Sequence, residues 1–176
     1  SESYVVHLDL TTSDTTFRST TTIEFGATAG ASTFLDAITE TVHSISLNGQ
    51  SLDPQVVSDG VRIQLDNLTD HNVVEVVADM FYTNTGEGLH RFVDPVDGKA
   101  YLYSQFEVPD SRRVYPVFEQ PDLKATFDFT VEAPADWVVV SNSPTPQPID
   151  NGSSKTWVFP QTPRISSYIT AIVAGP

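Results

Sequence analysis

The sequence predicts an all-β fold, about ten or more mostly antiparallel strands packed as a two-sheet sandwich or saddle-like domain. Three observations carry that prediction. Apolar and polar residues alternate with period two through most segments, as they do where one face of a strand is buried. The gaps between those segments are rich in Pro, Asn, Asp and Gly, as in Ser143-Pro144-Thr145-Pro146-Gln147-Pro148. No run of twelve or more residues keeps a 3.6-residue apolar period free of glycine, proline and β-branched clusters.

Taken in order, Tyr4, Val6, Leu8 and Leu10 alternate with Val5, His7 and Asp9. Phe17, Ile23 and Phe25 lie in phase, with Arg18, Thr20, Thr22 and Glu24 on the opposite face. Residues 42–52 hold Asn48-Gly49 between short β-like runs, a hairpin signal because both residues tolerate positive φ. Val61, Ile63 and Leu65 alternate with Arg62, Gln64 and Asp66. Val73 to Val77 is apolar except for Glu75, which suits a more central strand. Ala125, Phe127, Phe129 and Val131 face one way, and Thr126, Asp128, Thr130 and Glu132 the other. Trp137–Val140, Thr156–Phe159 and Tyr168–Val173 complete the set. Helix is expected only as a turn or so near Arg112–Val117.

A length of 176 residues suits a single domain over residues 1–176 with its own core. The charges are lopsided: 9 basic against 23 acidic residues leave a formal net charge of −14. Nucleic acid is excluded as a partner, because phosphate binding needs Lys and Arg to displace counterions. Anionic membrane is disfavoured for the same reason. The acidic field suits a soluble protein and attracts cationic partners such as peptide amino termini. There is no cysteine, so no disulfide framework and no Cys-based zinc site forms, which fits a cytoplasmic location.

The densest cluster of charged, amide and proline residues is Ser104-Gln105-Phe106-Glu107-Val108-Pro109-Asp110-Ser111-Arg112-Arg113, continuing to Phe118-Glu119-Gln120-Pro121-Asp122-Leu123-Lys124-Ala125. Residues 101–107 read as extended from their aromatic content. Alternation then puts Gln105 and Glu107 on one face and Phe106 on the other, where it anchors the segment inward. Val108 precedes proline and is pushed away from helical geometry, so the strand should end there in a bend. A paired amide and carboxylate at a strand end suit the grip of a cationic group. Arg112 and Arg113 are expected to pair with Asp110, Glu119 or Asp122 and fix the loop. Phe106, Tyr101, Tyr103 and Phe118 read as core or domain-interface aromatics.

These residues resemble the N-terminal domain of the aminopeptidase N family of zinc exopeptidases. The resemblance rests on Ser104-Gln105-Phe106-Glu107, Asp110-Ser111-Arg112-Arg113, Phe118-Glu119-Gln120-Pro121 and Lys124-Ala125-Thr126-Phe127, preceded by Asn84-Thr85-Gly86-Glu87-Gly88-Leu89-His90-Arg91-Phe92. One departure is Glu119-Gln120-Pro121, where many members carry Asp-Glu-Pro. The resemblance implies that Gln105 and Glu107 accept hydrogen bonds from the free α-amino group of a peptide substrate. It implies a catalytic domain after residue 176, carrying zinc on a His-Glu-x-x-His helix and packing on this one. The four histidines, at 7, 43, 71 and 90, form no such motif, so this fragment is expected to bind no zinc and hydrolyse nothing. The resemblance further implies a cis peptide bond between Glu107 and Val108.

A reading from another class is a non-catalytic β-sandwich module that binds carbohydrate or protein. It calls for exposed coplanar aromatics or an apolar patch away from Gln105, and gains if residues 105–107 are buried. Gly86-Glu87-Gly88 lacks the Gly-Lys-Ser/Thr of a phosphate loop, and Asp94-Pro95-Val96-Asp97-Gly98 reads as a solvated turn.

Overall fold

In the computed structural model, which describes residues 1–176, the first strand lies near the middle of the largest sheet. That strand, β1 (Ser3–Asp9), pairs antiparallel with β2 (Thr16–Gly26). After β3 (Thr33–Asp36) come β4 (Thr41–Leu47) and β5 (Gln50–Leu52), joined by Asn48 and Gly49 at φ 52° and 81°. Positive φ at both turn residues is the hairpin geometry expected of Asn-Gly. A single helical turn follows, α1 (Pro54–Val57). Asp53 starts it by accepting the Gln55 backbone N–H, and Pro54 supplies a preset φ where no N–H is needed. It was not expected from the sequence, because one turn carries no apolar period.

Then come β6 (Arg62–Leu65), β7 (His71–Phe81), β8 (Gly88–Val93) and β9 (Ala100–Gln105). After an irregular stretch, β10 (Thr126–Pro134), β11 (Val138–Ser141), β12 (Ile149–Asp150), β13 (Ser154–Val158) and β14 (Ile172–Gly175) complete the chain. The fold is all-β and mostly antiparallel, in three sheets rather than two. An eight-stranded sheet runs β12-β13-β10-β1-β2-β7-β4-β5, a four-stranded sheet runs β11-β14-β9-β8, and β3 pairs with β6. The exception to antiparallel pairing among these strands is β1 with β10, in register from Ser3↔Thr126 to Asp9↔Glu132.

Alternation fixes the layers. Tyr4, Val6 and Leu8 of β1, Val74, Val76 and Ala78 of β7, and Phe127, Phe129 and Val131 of β10 are buried on one face of the large sheet. The four-stranded sheet adds Leu89, Leu102, Val139, Ile172 and Ala174 to the same core, and the small one adds Leu35, Ile63 and Leu65. The second layer of the sandwich is thus split into two pieces. Val73–Val77 lies within β7, an internal strand between β2 and β4, as its apolar run implied.

Another segment departs from the prediction. Tyr168–Val173 was expected as a strand, but Ser167–Ile169 forms a 3-10 turn and β14 begins only at Ile172. The Tyr115 hydroxyl pairs with Thr170 Oγ1 at 2.9 Å, and Thr170 Oγ1 donates to the Ser167 carbonyl at 2.7 Å. Those local bonds compete with ladder formation. No helix is long and apolar enough to cross a membrane.

Candidate functional site

The strand β9 stops at Gln105, and residues 107–110 form a turn. Three residues at this strand end keep the alternation read from the sequence: Gln105 and Glu107 are exposed, and Phe106 is buried. Phe106 meets Tyr115 edge-on, ring centres 6.1 Å apart, within a cluster that also holds Tyr4, Phe127 and Phe129. Such edge-to-face packing suits the ring quadrupoles and fixes the position of the Phe106 backbone. Glu107 is therefore tethered to the core one residue away.

Gln105 is tied to its neighbour. Its Oε1 accepts the Glu107 backbone N–H at 2.7 Å, which orients the amide with oxygen toward the turn. The Glu107 carboxylate makes no hydrogen bond or ion pair within the domain. A negative charge and a partly used carbonyl thus stand at one exposed strand end. The structure has one cis peptide bond, Val108–Pro109, so the expected cis bond at Glu107–Val108 is corrected. The imide bond before proline is where a cis geometry costs least.

The turn is held from behind by a buried carboxylate. The Glu119 side chain is 1% exposed. Its Oε2 accepts the hydroxyls of Ser111 and Ser167, the latter at 3.1 Å, and its Oε1 accepts the Arg112 backbone N–H at 3.0 Å. The Arg112 Nε lies 3.6 Å from Oε1. This ties a 3-10 turn at Ser111–Arg113 to the one at Ser167–Ile169. Arg112 also reaches Asp36 of β3 at 3.3 Å, a partner the sequence reading did not name. Arg113 Nε pairs with Asp110 at 3.0 Å, as expected, whereas Asp122 pairs with neither arginine. Gly88 of β8 stands opposite Gln105 in the ladder, at φ 68°. A Cβ there would come within 2.9 Å of Arg113 Cβ, so glycine lets the Arg113 side chain lie across the strand.

The remaining candidates fall outside this cluster. Phe118 packs on Phe25 with ring centres 4.9 Å apart, whereas Tyr103 is exposed and stacks on His90 at 4.7 Å. The Tyr101 hydroxyl donates to Asp97 at 2.6 Å.

Comparison with known proteins decides the family. Residues 1–169 match the family described as the peptidase M1 N-terminal domain. The chain belongs to that family. This M1 N-terminal domain is 57% identical over 179 residues to aminopeptidase N of Streptomyces lividans, a match that covers 99% of this chain and 20% of that protein. It is 46% identical over 78 residues to aminopeptidase N of Acetobacter pasteurianus, covering 44% of the chain and 22% of that protein. With aminopeptidase M1 of Arabidopsis thaliana it shares 42% over 77 residues, 44% of the chain and 9% of the relative. The chain spans at most 22% of the length of any of these three relatives.

The aminopeptidase resemblance implies zinc, and the M1 N-terminal domain has no residues that fit a catalytic zinc site. Glu2, Glu24 and His71 have ligand atoms within 4.8 Å of one another, but all three are exposed. His71 lies 3.8 Å from Glu2 through Nδ1, and no protein group hydrogen-bonds its other ring nitrogen, the contact that orients a metal-binding imidazole. This is a solvated charge cluster, and no chemical step is routed through it.

Proposed function

We propose that this M1 N-terminal domain serves a zinc aminopeptidase by holding the free α-amino group of a peptide substrate between Gln105 and Glu107. The observation that carries the reading is the pairing at the end of β9. Glu107 offers a carboxylate with no internal partner, and Gln105 offers a carbonyl beside it. A peptide N-terminus brings an ammonium with three donors. Glu107 accepts one with charge assistance. Gln105 Oε1 already accepts the Glu107 N–H, and its second lone pair takes another ammonium proton.

Exopeptidase selectivity follows from the same pair. An internal peptide bond or an acetylated N-terminus brings no cation, so both acceptors would be desolvated without a partner. The net charge of −14 adds a long-range attraction for cationic peptide ends. On this reading zinc would be held by a separate catalytic domain, where it would supply Lewis-acid activation of a bound water. The contribution of this chain is binding and orientation. The lack of cysteine agrees with a cytoplasmic protein.

The test is hydrolysis by the full-length protein containing this chain. A charged hydrogen bond contributes about 1.5–3 kcal/mol, so Glu107→Ala should lower kcat/KM about 10- to 200-fold. An unchanged kcat/KM removes the role.

A further inference from the structure

A groove of about 760 Å³ opens where the turn between β1 and β2 meets β8 and the turn between β10 and β11. Its size is that of a small-molecule site, and no residue of the 104–125 cluster lines it. Arg91 of β8 lies in phase with buried Leu89, so its side chain runs inward and is only 24% exposed. Its one ion-pair partner, Asp14, is 90% exposed and 3.5 Å away, longer than an ordinary hydrogen bond. A guanidinium has five N–H donors, so most of them are unused. Tyr82 packs its ring on Phe17, with centres 5.0 Å apart, and no hydrogen bond engages its hydroxyl. Burial pushes the pKa of that hydroxyl up, so it stays a neutral donor. Glu132 accepts the Ser154 hydroxyl on Oε1 at 2.8 Å and keeps Oε2 open. Trp137 also lines the groove, set there by a turn in which its backbone N–H donates to the Pro134 carbonyl at 2.9 Å. The other tryptophan, Trp157, is 5% exposed in the core.

We propose that this groove binds a neutral oligosaccharide, independently of the amine grip at Gln105 and Glu107. A sugar hydroxyl both donates and accepts, and the Arg91–Asp14 pair presents unused donors beside an unused acceptor. Two adjacent ring hydroxyls match that pair, one accepting from the guanidinium and the other donating to the carboxylate. Tyr82 adds a donor and Glu132 an acceptor. The indole of Trp137 offers a flat apolar surface for the C–H face of a sugar ring. Charge selects against the other classes of ligand. The groove sets Arg91 against Asp14 and Glu132, so it lacks the net positive field that a phosphate or carboxylate ligand needs. An apolar ligand would strip water from those three charged groups and return no hydrogen bonds. A free amino acid would have to displace Asp14 from Arg91 to seat its carboxylate, whereas a sugar uses the pair as it stands.

The test is binding of maltotriose, cellotriose and triacetylchitotriose to the full-length protein that contains this chain. Saturation-transfer NMR detects contact, and isothermal titration up to about 10 mM sugar gives the affinity. At least one of these sugars should bind with a Kd in the millimolar range or tighter. Asp14→Ala removes one acceptor and should weaken that binding about tenfold. Asp14 is 90% exposed, so this variant should fold as the parent does. Trp137→Ala should abolish binding, and Trp137→Phe, which keeps a ring against the sugar, should restore most of it. Failure of all the sugars to bind overturns the proposal. So does sugar binding that is unchanged in both Asp14→Ala and Trp137→Ala, which would place the sugar elsewhere in the full-length protein. Binding of alanine in place of the sugars, lost in the same two variants, would assign the groove to a zwitterion and overturn it as well.

Discussion

The side-chain carbonyl of Gln105 accepts the backbone N–H of Glu107 at 2.7 Å, so one acceptor of the candidate site holds the other in place. Gln105→Ala removes a direct acceptor and releases the turn at once. In the full-length protein kcat/KM should fall about tenfold, the equivalent of a single hydrogen bond of about 1.4 kcal/mol. Stability should stay within about 0.5 kcal/mol, since Gln105 is an exposed residue. Urea denaturation of the 176-residue chain beside steady-state kinetics checks both halves.

Glu119 should matter to stability far more than Gln105. Its carboxylate is enclosed by donors from Ser111, Ser167 and Arg112, and the Arg112 guanidinium lies against it. Glu119→Ala leaves a partly buried arginine and two hydroxyls without their acceptor. Breaking a buried pair in this way costs about 3–5 kcal/mol. Denaturant unfolding should show a lowered midpoint with an unchanged slope. A midpoint close to that of the parent chain would mean that Asp36 alone suffices for Arg112.

Phe106 tests the tether between core and site. It is 2% exposed and packs on Tyr115. Phe106→Ala should destabilise the chain by about 3–5 kcal/mol through the lost burial and the cavity. Phe106→Leu should cost less and retain most of the activity of the full-length protein, because it still buries an anchor between the two acceptors.

A pH effect is expected on the far face of the large sheet. Partial burial would raise the Asp79 carboxyl, but hydrogen bonds from Arg18 at 3.0 Å and His43 at 2.9 Å outweigh it and hold the group below its usual range. A carboxyl depressed in the folded state contributes stability above its unfolded value near pH 3.9 and loses it as pH falls through the folded value. Asp79→Asn should therefore cost about 0.5 kcal/mol at pH 7, the size of an exposed ion pair, and almost nothing at pH 2. Thermal melts of both proteins across that range measure the difference.

Much of the fold was legible because burial follows period two. β1, β2 and β10 each bury the residues that alternation selected, and Asn48-Gly49 makes the hairpin that its φ preference implies. At the site Phe106 is buried and Gln105 and Glu107 are exposed as alternation read them, but the extended segment expected over 101–107 ends at Gln105, and Glu107 already lies in the turn. Long-range pairings were not legible. Arg112 with Asp36 joins residues 76 apart, and nothing local marks that contact. β8 was missed because Gly88, His90 and Arg91 break the apolar pattern of a strand. The outward valines of β11 were hidden for the opposite reason. A run of valine looks alike whether one face or both faces of its strand are covered, and only the burial in the folded chain shows that Val139 turns inward while Val138 and Val140 do not.

The amine grip is tested most directly by a substrate pair that differs only in the amine. Alanine p-nitroanilide carries it, and propionic p-nitroanilide lacks it. Each is measured with the full-length protein and with its Glu107→Ala variant. If Glu107 holds the ammonium, the variant loses about 10- to 200-fold in kcat/KM on the first substrate and changes little on the second, so the preference for a free amine collapses. Equal losses on both substrates, or none on either, would contradict the claim that this domain grips the peptide N-terminus.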